Sequence, residues 1–116
     1  MPRVLVHLAM PVPIPVGHRV EVRVFVRETT VLFSSSKEPQ PDQPVVTDLD
    51  TGVVFGPAWA FGGGGAYYKG KPLADLTLAP PPSLQEHSRV VGRVTACRVA
   101  WVTEFVSTTL ELEQDG

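Results

Sequence analysis

Cysteine is nearly absent from this 116-residue chain, where Cys97 stands alone. One thiol closes no internal disulfide, so the fold has to rest on its apolar core. Charge is sparse as well, at 19% of residues against the usual quarter. Neither sign dominates: ten Lys and Arg face twelve Asp and Glu, for a net charge of −2. A sequence-independent nucleic-acid binder gains affinity from neutralised phosphates and shows a basic excess, which is missing here. No apolar run approaches the ~18 residues needed to cross a bilayer. The opening run Val4-Leu5-Val6 is broken by prolines at 11, 13 and 15. It stops short of a signal peptide, which sets the expectation of a cytoplasmic protein.

Valine is what the chain has most of: 19 residues, beside 12 prolines and 10 glycines. β-branched side chains with frequent Pro and Gly disfavour helices and suit short strands between punctuated loops. The expected fold is therefore all-β. We read one small barrel or sandwich of six or seven mostly antiparallel strands, forming a single domain over residues 1–116.

Alternation places the strands. Residues 3–10 read as a strand with Val4, Val6 and Leu8 on one face. The Pro-x-Pro-x-Pro segment at 11–17 reads as an extended connection. From Arg19 to Arg27 every even position is valine and the odd positions, Phe25 apart, are charged. That is the signature of a strand with one buried and one wet face. Residues 29–33 continue it through a bulge. The stretch 34–44 has no apolar side chain besides proline and reads as an exposed loop. Two β-rich runs within 44–56 flank Asp48-Leu49-Asp50-Thr51-Gly52, which predicts a hairpin. Residues 57–72 read as an aromatic and Gly-rich loop. Leu73, Leu76 and Leu78 fall in a short strand, and residues 83–87 hold one helical turn at most. Arg89–Val102 and Phe105–Glu113 form a long C-terminal hairpin. Cys97, inside its first arm, reads as a small buried filler. The Arg-rich face at 19–27 and the acidic face at 107–115 are expected to pair within one sheet.

Three groups of residues carry the functional expectations. The first is the loop at 57–72. There Trp59, Phe61, Tyr67 and Tyr68 surround four consecutive glycines and offer an aromatic surface for a protein partner. On this reading the chain is a non-enzymatic binding or assembly module, using that loop and an exposed strand edge. Association with a protein partner, or with itself, follows.

The second group is Arg19-x-x-x-Arg23 followed by Asp48-Leu49-Asp50-Thr51-Gly52-Val53. With Gly70-Lys71-Pro72-Leu73 and Val91-Gly92-Arg93-Val94 further on, this order resembles the PilZ domains, small bacterial β-barrels that bind cyclic di-GMP. In that family the second element is Asp/Asn-x-Ser-x-x-Gly; here Asp50 replaces the Ser and Val53 the final Gly. The resemblance implies a cyclic-dinucleotide ligand held by Arg19, Arg23 and Asp48, with paired guanidiniums on phosphate and a short Asp loop on a guanine edge.

The third is Asp50-Thr51-Gly52 after an apolar run, which resembles the signature of retroviral-type aspartic proteases. Val90-Val91-Gly92-Arg93 has the form of that family's later apolar-apolar-Gly element. The resemblance implies a homodimer in which each chain's Asp50 shares a proton and activates water. Val53 and the 42-residue interval from Asp50 to Gly92 depart from the family pattern.

No metal site and no cofactor are expected. Asp48-x-Asp50-x-Gly52 opens like a calcium loop, but no bidentate Glu follows at loop spacing. His7, His18 and His87 have no ligand spacing with one another.

Overall fold

The computed structural model describes residues 2–30, 37–41, 43–62, 68–102 and 105–115. The chain is all-β. Among the described residues eight strands run β1 (Arg3–Leu8), β2 (Arg19–Thr30), β3 (Lys37–Pro41), β4 (Val45–Asp48), β5 (Val53–Pro57), β6 (Tyr68–Pro72), β7 (Leu84–Val102) and β8 (Phe105–Gln114). They build one sheet in the order β1-β8-β7-β2-β4-β5-β6, with β3 paired to β2 outside that path. Every pairing is antiparallel. No helix among the described residues is long and apolar enough to cross a membrane.

The valine stripe does what its period demands. Val20 and Val22 are buried on the inner face, with Val46 of β4 opposite Val22. Val6, Leu8, Val94, Leu110 and Leu112 join them from β1, β7 and β8. The proline segment completes this core. Pro11, Pro13 and Pro15 are exposed while Val12 and Ile14 are buried, so the extended chain alternates although its prolines donate no ladder bonds. Thr108, fully buried, fastens the segment: its hydroxyl accepts from Val12 N–H at 2.9 Å and donates to the Met10 carbonyl at 2.6 Å. Cys97 is half-buried against the same core.

β7 makes the sheet turn a corner. Its first half pairs with β2 and its second with β8, and the register with β8 shifts between Val94 and Ala96. Gly92 sits in the overlap, opposite Val20 on one side and Gln114 on the other. A Cβ there would lie 2.6 Å from the Glu113 carbonyl oxygen, so only glycine lets the backbones meet.

A second, smaller core covers the outer face at the β4–β5 end. Phe25, Val45, Val54 and Ala60 are buried there. Val45 and Val46 are thus both buried, on opposite faces, because this part of the sheet is covered on both sides. The cover is the 3-10 turn Ala58–Phe61, held by Thr77 and Leu78, whose N–H groups both donate to the Ala60 carbonyl. Leu78 takes a left-handed φ of 49° to do so.

Several expectations need correction. Residues 37–41, read as part of a loop, form β3, because the long β2 offers a free edge for them to pair with. Residues 68–72, also read as loop, form β6 against β5. Leu73–Asp75 is a 3-10 turn, and 76–80 lies outside the ladders. Residues 84–87 belong to β7, with no helical turn. The predicted hairpins at β4–β5 and β7–β8 are present.

Candidate functional site

Asp48 ends β4 on the inner face, opposite Val20, and is 3% exposed. Its carboxylate is fully engaged. One oxygen accepts from the N–H groups of Asp50 (2.9 Å) and Thr51 (3.3 Å), which closes the β4–β5 turn. The other lies 3.0 Å from Nδ1 of His18. Burial pushes its acidity towards the neutral form, but the hydrogen bonds from His18, Asp50 and Thr51 outweigh it. The net result is a pKa below the ordinary aspartate value.

Arg19 and Arg23 lie on the other face of β2, about 13 Å apart at four residues of strand rise. Arg19 pairs with Asp115, and Arg23 Nε donates to Glu21 at 2.9 Å. Arg19–Asp115 links the Arg-rich and acidic segments across β7, while Arg3, outside the Arg-rich segment, pairs with Glu111 at 3.1 Å. The structure therefore does not bring Asp48 together with the two arginines. Asp50 is exposed in the turn, where Oδ2 accepts the Arg19 N–H at 3.0 Å.

His18 is the residue that local spacing misses. It lies thirty positions before Asp48, and tertiary pairing of β2 with β4 unites them. His18, Asp48 and Asp50 gather potential metal donors within 4.8 Å of one another. Each of the two carboxylates already accepts hydrogen bonds that hold the turn.

The aromatic loop divides. Trp59 packs edge-on against Phe25, ring centroids 4.9 Å apart at 79°, and Phe61 lies on the same outer core with Lys71 Nζ 5.6 Å above its ring. Both rings fold back onto the sheet. Tyr68 opens β6 opposite Pro57. Tyr67 lies outside the described residues.

An apolar cleft lies elsewhere. A cleft of about 400 Å³ runs between β1 and the β2–β7 wall, lined by Val4, Val6, Val22, Val24 and Val90 with Gln43 and Pro44 at one end. This lies within the size range of pockets that hold ligands. β1 and β2 stand three places apart in the hydrogen-bonded order, about 14 Å on a flat sheet. That they line one cleft shows how far the sheet curls.

β1 is an end of the hydrogen-bonded order, and its free edge borders this cleft. The orientation of that edge follows from one bond. Gln114 N–H donates to the Pro2 carbonyl in the same register as the β1–β8 ladder. Hydrogen-bonded pairs alternate in an antiparallel ladder, so Val4, Val6 and Leu8 turn their amides to β8. Arg3, Leu5 and His7 turn theirs to the cleft, with no backbone partner among the described residues. Ala9 continues the pattern, and its outward N–H is capped by the Gln43 side chain at 3.3 Å.

No family model, no curated protein and no solved structure matches this chain.

Proposed function

We propose that the chain is a non-enzymatic binding module that accepts an extended peptide segment along β1. The observation that carries this is the coincidence of three outward amides, at Arg3, Leu5 and His7, with a valine-lined cleft on the same edge. An added strand would take its main-chain bonds from β1 and place alternate side chains over Val4, Val6, Val22, Val24 and Val90. Main-chain bonding supplies affinity in such a mode, and the pockets for alternate side chains supply selectivity. The strand-edge part of the sequence expectation thus has the stronger geometric support. The loop aromatics Trp59 and Phe61 already have partners within the chain. A cyclic dinucleotide is less favoured, since Asp48 faces inward and Arg19 and Arg23 outward.

The test uses a short fluorescent peptide of alternating threonine and valine. Binding to the parent protein is expected with Kd on the order of 0.1 mM. Leu5→Pro removes an amide that points into the cleft and none that bonds β8. Proline is tolerated at such edge positions. This variant is expected to bind at least tenfold more weakly, about 1.4 kcal/mol. Equal binding by parent and variant, or none by the parent at millimolar peptide, contradicts the proposal.

A further inference from the structure

We infer that the segment seated in the cleft belongs to a second copy of this chain, namely the outer end of its β7–β8 hairpin. This rests on the strand-accepting reading and names its occupant.

The hairpin outruns its cover. β1 pairs with β8 only as far as Thr108, and β2 pairs with β7 only as far as Arg93. Beyond them β7 and β8 continue as a two-stranded arm to Val102 and Phe105. The core-facing stripe continues with them. Cys97 stands opposite Leu110, Val99 opposite Thr108 and Trp101 opposite Val106, all on one face. Leu110 and Thr108 are fully buried, whereas Val99 is 40% and Trp101 72% exposed. Phe105, on the other face of the arm, is 76% exposed. An apolar stripe that leaves the globule in this way marks an interaction surface.

Arm and cleft are complementary in length and period. The cleft edge spans Arg3 to His7, and the arm segment 98–102 spans five residues with no strand beside its outer edge among the described residues. Laid along β1, that segment would send Val99 and Trp101, two apart, into the valine-lined cleft. A tryptophan in a desolvated pocket is a favoured interface anchor.

Area decides for exchange between two copies. Typical interfaces cover ~800 Å² with 20–30 residues a side, so about ten arm residues cover roughly 300–400 Å². A single arm in a single cleft falls short of a stable contact. When each copy supplies both an arm and a cleft, each buries roughly 600–800 Å², near the standard size. A closed two-fold dimer is the symmetry that gives each copy both roles.

Sedimentation equilibrium over a concentration series tests this on the full chain. The parent is expected to be dimeric, and Leu5→Pro (edge amide removed) and Trp101→Ala (arm blunted) monomeric. Val99→Lys, a second change on the arm, should behave as Trp101→Ala does. A mixture of Leu5→Pro with Trp101→Ala retains one intact arm and one intact cleft, a single contact that should leave it monomeric where the parent is dimeric. A monomeric parent at about 1 mM, a dimer unaffected by Leu5→Pro, or a mixture as tightly dimeric as the parent overturns the inference. A monomeric parent that still binds the threonine–valine peptide leaves the strand-accepting reading standing and removes only the second copy. A parent that neither dimerises nor binds the peptide removes both.

Discussion

Asp48→Ala should cost about 3 kcal/mol of folding stability at neutral pH, read as a drop in the denaturation midpoint. The carboxylate is buried and receives hydrogen bonds from His18 and from the amides of Asp50 and Thr51. Alanine leaves those donors without an acceptor at the end of the core. The turn also loses its side-chain lock and is left to backbone bonding such as Gly52 N–H to the Asp48 carbonyl at 2.8 Å. Asp48→Asn should recover part of the loss, since an amide oxygen still accepts one of the turn bonds.

The same carboxylate sets an acid limit. Its folded pKa is depressed below the unfolded value, so the unfolded chain binds the proton more readily. The stabilisation is therefore fully present above the ordinary aspartate range. It is lost as pH falls through the depressed folded value. Parent stability should decline across that acid window. The decline should be shallower in Asp48→Ala, whose stability is already lower. Parallel pH profiles for the two proteins would contradict this account.

Gly92→Ala should be the other severe change, at about 2–3 kcal/mol. In an ordinary strand interior the same substitution gains 0.5–1 kcal/mol in rough terms, because glycine pays more backbone entropy. The reversed sign follows from the 2.6 Å approach of a Cβ to the Glu113 carbonyl oxygen. Backbone cannot swing aside as a side chain does, so β7 and β8 have to separate where the sheet turns its corner. Thermal unfolding reads the effect. A neutral or stabilised Gly92→Ala would show that the strands do not cross there as described.

Gly92 also shows what was legible. Val-Val-Gly-Arg is visible as a motif, and its form resembles a protease element. Its role in this fold depends on β8, some twenty residues later, running against it. No local pattern announces that. By contrast, the alternation at Val20, Val22 and Val24 needs only a period of two, and it identified β2 and its buried face directly. The β7–β8 and β4–β5 hairpins were legible for the same reason.

The misses share a physical cause. β3 has no apolar pattern of its own; the overhang of β2 recruits it. The loop reading of 68–72 failed because pairing with β5 supplied order that its composition does not. His18 and Asp48 meet only through strand pairing, so no spacing rule finds them. The cleft was least legible of all. Val4 and Val22 read as ordinary buried strand valines, and only the curl of the sheet leaves a gap between them and Val90. An exposed strand edge was expected, but the outward direction of the Leu5 amide emerges only from the β1–β8 register.

Residue-resolved amide hydrogen exchange along β1 tests the strand-accepting edge most directly. In dilute, unliganded protein the amides of Val4, Val6 and Leu8 should be protected and those of Arg3, Leu5 and His7 should exchange freely. Addition of the threonine–valine peptide should then protect Arg3, Leu5 and His7 and leave the other three unchanged. Protection of all six before any peptide is added, or free exchange of the three outward amides at saturating peptide, would contradict it.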